Sequence, residues 1–167
     1  KVGGDIGFEL SYGTYDELLE ALFMDEWDAD VLKAGVTMRS FTIERAFTDI
    51  VQYQVFTGCL INQMTLSIKP NAIVTGSFAV VGKGSSLLTT PLDAAPAPSP
   101  THPPLDAVSG ALKEGGVTVG YVTGIVLTFA NGIDPKFIVG SPDAGAFTAA
   151  KSNVTGKISV FFDGPNM

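Results

Sequence analysis

Between Asp49 and Lys69 the chain carries 19 consecutive residues without a charge, and they alternate instead of forming an apolar block. Val51, Tyr53 and Val55 fall on one side of an extended chain, and Gln52 and Gln54 on the other. Met64, Leu66 and Ile68 alternate in the same way with Thr65, Ser67 and Lys69. A period of two marks strands with one apolar and one neutral polar face. Soluble sheets ordinarily guard a wet face and a bare edge with Lys and Glu, because an unpaired edge recruits other chains. Those guards are missing here, so the sheet is expected to meet a neighbour. Three strand-like runs, 49–58, 59–69 and 72–84, follow one another. They predict an assembly hairpin over 49–69 whose apolar face is Val51, Tyr53, Val55, Met64, Leu66 and Ile68. Pro70 and Asn71 predict the tight connection to the third run.

A chain of 167 residues is long enough for one domain with a sizeable core and too short for two comfortable ones. A single domain over 1–167 is therefore expected. Charged residues make up 16% of it, against roughly a quarter in typical soluble domains. The formal charge is nevertheless −7. That balance argues against tight phosphate-backbone binding, which needs clustered Lys and Arg. Cys59 is the lone cysteine, so no intrachain disulfide can form; in a strand-like run it is expected to pack as a small apolar residue. The first 13 residues lack the apolar core of a signal peptide. The uncharged run 115–133 approaches the length of a membrane-spanning helix, but it is rich in Gly, Thr and β-branched residues, so strands are expected and no membrane insertion.

One segment reads as helix. Thr14 is placed to cap it, with Glu17 completing a capping box, and Leu18, Leu19, Leu22 and Phe23 form an apolar stripe. The helix is expected from about Tyr15 to Met24, lying on a sheet. Ile6, Phe8 and Leu10 mark a strand before it. The acidic stretch 25–35 reads as a loop, and 36–47 as a strand whose alternation slips between Met38 and Phe41, as a β-bulge would make it. Pro91, Pro96, Pro98, Pro100, Pro103 and Pro104 crowd the segment 91–104, which predicts an exposed extended loop. The chain restarts at 107–113, turns at Glu114-Gly115-Gly116 and enters a strand over Val117–Phe129. Asn131-Gly132 is a turn signal. Short strands follow at Phe137–Val139 and around Phe147, and a last one over 154–162 places Ile158, Val160 and Phe162 on one face. About nine strands and one helix make a mainly β fold, a β-sandwich or partly closed barrel with one flanking α-helix.

No chemistry emerges from the side chains. His102, the one histidine, sits in the proline-rich loop without a second His or Cys to complete a metal set. Gly82-Lys83-Gly84-Ser85 lacks the spacing of a phosphate loop. Asp25, Glu26, Asp28 and Asp30 fail the calcium-loop pattern, since Lys33 stands where its glycine belongs. Trp27, Phe41, Phe47, Tyr53, Phe56 and Phe78 are not interleaved with basic residues and read as core, not as a stacking platform. No catalytic residue, metal or cofactor is expected.

The residues Ser11-Tyr12-Gly13, the run 40–84, and the segments 104–116, 121–133 and 151–164 together resemble the tail tube proteins of long, non-contractile-tailed bacteriophages. The likeness spans most of the chain apart from the proline-rich loop. It implies a β-sandwich subunit with a flanking helix, closed into six-membered rings that stack into a tube. It also implies virion location, assembly in the host cytoplasm and double-stranded DNA passing through the lumen without specific binding. Tape measure, terminator and tail-tip proteins are the implied partners besides the chain itself. The 1–13 arm and the 25–35 loop are candidate ring-to-ring contacts. Two other readings remain open from the residues: the tube of a related contractile injection machine, and a carbohydrate-binding sandwich that decorates a virion.

Overall fold

The computed structural model describes residues 2–108, 110, 112–118 and 122–161. The chain runs β1 (Val2–Glu9), α1 (Asp16–Phe23), β2 (Phe41–Phe47), β3 (Gln52–Ile68), β4 (Thr75–Gly82) and β5 (Gly84–Leu88). There follow β6 (Lys113–Glu114), β7 (Val117–Thr118), β8 (Val122–Ala130), β9 (Asp134–Phe137), β10 (Ala144–Thr148) and β11 (Asn153–Val160). β3 is the axis of the molecule. Its C-terminal half lies inside an all-antiparallel path β1-β4-β3-β8-β11, and its N-terminal half pairs with β2 on one side and β5 on the other.

The expected hairpin over 49–69 is therefore a single strand. Gly58 and Cys59 read as a strand boundary, but Gly58 adopts φ +59 and bends β3 without ending it. A glycine tolerates this left-handed conformation at no steric cost, which suits a bulge as well as a turn. The true hairpin joins β3 to β4 and β5 through Pro70-Asn71, where Asn71 holds φ +54. The bend turns the two halves of this hairpin into facing leaves. β1 and β2 share no ladder, yet Val2, Ile6, Ile43, Phe56 and Val80 line a common cleft of about 290 Å³ between them.

α1 carries the predicted stripe. Leu22 is buried, and Leu18, Leu19 and Phe23 pack beside it on a cluster of Phe8, Cys59, Ile61, Met64, Phe78 and Val80. Phe78 is fully buried and stacks on Phe8 at 4.6 Å between ring centroids. The capping box does not form: Tyr15 is the N-cap, and Thr14 Oγ1 instead accepts a hydrogen bond from Ser11 at 2.6 Å. Met24 ends the helix in the left-handed conformation, a usual way to release a helix from its axis.

Other boundaries move for local reasons. The strand expected over 36–47 begins only at Phe41, since the preceding residues form an extended strap bonded to the end of α1. The alternation slip between Met38 and Phe41 falls where the strap passes into β2 and not at a bulge; the register shift of this pair lies further on, where Phe41 faces Cys59 and Ile43 faces Phe56. Gly115 and Gly116, both at positive φ, close the small hairpin β6–β7. Phe137 ends β9, and Ile138 and Val139 belong to the connection to β10. Phe162 lies outside the described residues. Among them the sheet does not close into a barrel.

Candidate assembly surfaces

The ladder registers sort the five-stranded path into two faces, because residues directly opposite on neighbouring strands point the same way. One face holds Ile6 and Phe8, Phe78 and Val80, Ile61, Met64, Leu66 and Ile68, Leu127 and Phe129, and Ile158. α1 covers its upper part. Its lower part is an apolar groove of about 770 Å³ that includes Leu10, Leu66, Ile68, Leu105, Leu127 and Ile158.

The opposite face is mostly polar, with Thr and Ser its commonest residues. It presents Asp5 and Glu9 on β1, Thr75 and Ser77 on β4, Gln63, Thr65 and Ser67 on β3, Val126 and Thr128 on β8, and Thr155, Lys157 and Ser159 on β11. None of these residues is aromatic. The three middle strands, β4, β3 and β8, carry no charged residue at all.

The six residues expected to form one apolar assembly face do not share one. Val51 sits exposed in the turn before β3, at φ +51. Tyr53 is half-buried and Val55 buried in the half of β3 that pairs with β2 and β5. Met64 is buried under α1, and Leu66 and Ile68 line the groove. Two bulges in β3, near Gly58 and at Asn62–Gln63, each shift the pleat by one residue. Their effects cancel, so Tyr53 and Val55 stay on the face opposite Met64, Leu66 and Ile68.

The bare ladders lie elsewhere. β1 and β11 end the five-stranded path, and among the described residues each pairs on one side only. Every residue of β11 is exposed, and Val154, Ile158 and Val160 are among the exposed large apolar side chains. β1 is exposed from Gly3 to Gly7. The 1–13 segment is thus no free arm, being bonded to β4 along the whole of β1. The 25–35 loop leads into the strap, which is tied back where Arg39 ion-pairs with Glu20 and, at 3.0 Å, with Glu26.

Asn131, read from the sequence only as half of a turn signal, is buried and joins four parts of the fold. Its amide nitrogen donates to the Leu22 carbonyl at 2.7 Å and the Ile61 carbonyl at 3.4 Å, and its amide oxygen accepts from Ser152 Oγ at 2.8 Å. Its backbone N–H donates to the Asn62 carbonyl at 2.8 Å. The Asn62 side chain in turn accepts from the Ile133 N–H at 2.7 Å. The Cys59 thiol is buried, and that burial pushes its pKa up. Among the described residues no group of three or more His, Cys, Asp or Glu side chains is arranged to hold a metal, and no helix is long and apolar enough to cross a membrane.

A model of the family described as phage tail tube protein matches residues 1–165. The chain belongs to the phage tail tube protein family. Its mainly β sheet with one helix is the fold expected of such a subunit, and membership makes it a structural component of a virion tail. No curated protein sequence matches it.

Proposed function

We propose that this tail tube protein forms six-membered rings which stack into the tube of a long non-contractile tail, and that double-stranded DNA passes through the tube during ejection. The observation that carries this reading is the pair of bare edges on one sheet. Three strands, β4, β3 and β8, lie between them in an all-antiparallel path, so β1 and β11 run in the same direction. Setting β11 of one copy beside β1 of the next continues the sheet by rotation alone. That contact is head-to-tail, and such contacts close into rings or grow into filaments. Closure removes every exposed edge of the path, a stable solution for strands this bare.

The polar face supports the choice of which side lines the channel. Its apolar opposite is covered in its upper part by α1 and would be the side that packs outward, so the Thr-, Ser- and Gln-rich side faces the lumen. Asp5 and Glu9 outweigh Lys157 there, giving each copy a net negative lining that repels phosphate and disfavours the ion release that drives nucleic-acid binding. The subunit does no chemistry; its partners are other copies of itself and the tape measure, terminator and tail-tip proteins. It assembles in the host cytoplasm. Electron microscopy of the purified protein over a wide concentration range tests the reading. Rings or tubes with a central channel are expected, and monomers alone at every concentration would refute it.

A further inference from the structure

The registers connect strand edges that are far apart in sequence. Glu9 faces Thr75, Thr75 faces Ser67, Ser67 faces Val126, and Val126 faces Lys157. One cross-strand row therefore begins with a carboxylate on β1 and ends with an ammonium on β11, both on the polar face. Both side chains are exposed, and neither has an ion-pair partner among the described residues. The strands between them carry no charge on this face. Charges that only guard bare edges need no particular order, whereas here opposite signs stand at the two ends of one cross-strand row.

We propose that Lys157 of one copy pairs with Glu9 of the next across a parallel β11–β1 seam, and that this pair sets the register in which copies join. The inference rests on the ring reading above and names the residues of its seam. In a seam without stagger between copies, the row Glu9–Thr75–Ser67–Val126–Lys157 runs on to meet the next copy's Glu9; a staggered closure would bring a different residue of β1 there. Opposite charges directly across a strand pair are favourable, and like charges there are unfavourable. A two-fold pairing of β11 with another β11 would instead be antiparallel and bring two Lys157 ammonium groups near each other, so the pair also disfavours that dead end. A seam slipped by one residue would put Glu9 on the wrong side of the sheet.

Charge reversal is the test. Glu9→Lys and Lys157→Glu should each raise the protein concentration needed for assembly by roughly fivefold to tenfold, the size expected when one favourable cross-strand pair becomes a repulsive one. The double variant Glu9→Lys/Lys157→Glu should restore assembly towards that of the wild-type protein, which a folding defect in either single variant could not do. Added salt should narrow the differences, since exposed pairs are screened. As an independent readout, Glu9→Cys/Lys157→Cys should cross-link under oxidation into a ladder that stops at the closed ring. Wild-type tubes accompanied by unaffected single variants, or a ladder obtained with Asp5→Cys in place of Glu9→Cys, would overturn the pairing and leave the tube reading standing. Failure of the wild-type protein to assemble at all would overturn both.

Discussion

Replacing Asn131 by Ala should cost more than almost any other polar substitution in this chain. Its side chain makes two short hydrogen bonds, to the Leu22 carbonyl at 2.7 Å and from Ser152 at 2.8 Å, and a longer one to Ile61. Each short bond contributes about 1 kcal/mol net. The larger effect is the buried acceptor left behind: Leu22 lies in the last turn of α1, where carbonyls have no partner within the helix, and an orphaned buried acceptor costs about 1–3 kcal/mol. The sum is about 3–5 kcal/mol, against a total stability of roughly 5–15 kcal/mol for a domain. Urea unfolding followed by circular dichroism, below the assembly concentration, should show the midpoint falling with an unchanged slope. In heat the transition should drop by roughly 5–15 °C. The isosteric Asn131→Asp is sharper still, because it aims a carboxylate oxygen at two carbonyl oxygens. Its penalty should be largest at neutral pH and shrink as pH falls, since burial raises the folded-state pKa of the introduced carboxyl and protonation restores a donor. A loss below about 1 kcal/mol for either variant would refute the assignment of Asn131 as a clamp.

Gly58→Ala should cost about 1–2 kcal/mol because position 58 is left-handed at φ +59 and an L side chain is strained there; chemical denaturation measures it, and an unchanged midpoint would mean the bend in β3 does not depend on this backbone. Arg39→Ala should speed hydrogen exchange at the Gly35 and Thr37 amides, which anchor the strap to the Phe23 and Met24 carbonyls, while changing global stability by less than about 1 kcal/mol. The Cys59 thiol, with its pKa raised by burial, should react slowly with a disulfide reagent in the native protein and rapidly in urea. The same shift favours the protonated thiol in the folded state, so that increment of stability is present at neutral pH and lost as pH rises through the raised value.

What the sequence revealed depended on whether the cause was local. The Leu18, Leu19, Leu22 and Phe23 stripe and the period-two runs report side-chain direction directly, and the helix and most strands follow from them. Gly58 was ambiguous, because a glycine between two alternating runs fits a turn and a bulge equally well. Reading it as a turn folded 49–69 back on itself and put Tyr53 beside Met64, when two bulges keep them on opposite faces. Asn131 announced a turn with Gly132, but its main partner, Leu22, lies 109 residues away, beyond the reach of any local pattern. The edge status of β11 was equally hidden. Its alternation resembles that of β4, and only the strand order shows that one has two neighbours and the other has one.

That distinction also bears on the carbohydrate-binding alternative. A sugar site needs aromatic rings on an exposed groove, and the polar face of the five-stranded path offers Thr, Ser, Gln and Gly with no ring among them. The buried rings are spent on the core, where Phe8 and Phe78 stack against each other and Phe23 meets Phe129 at 5.4 Å. A channel that must pass a polyanion has the opposite requirement, a wet surface with little for a base or a phosphate to hold. Uncharged hydroxyl and amide side chains provide that only if the sheet's charges stay off the lining's centre, and in this chain they do. On the tube reading, the scarcity of charge in the central strands and its appearance on β1 and β11 then have a single physical cause: the middle of the sheet must not bind what passes, and its margins must bind each other.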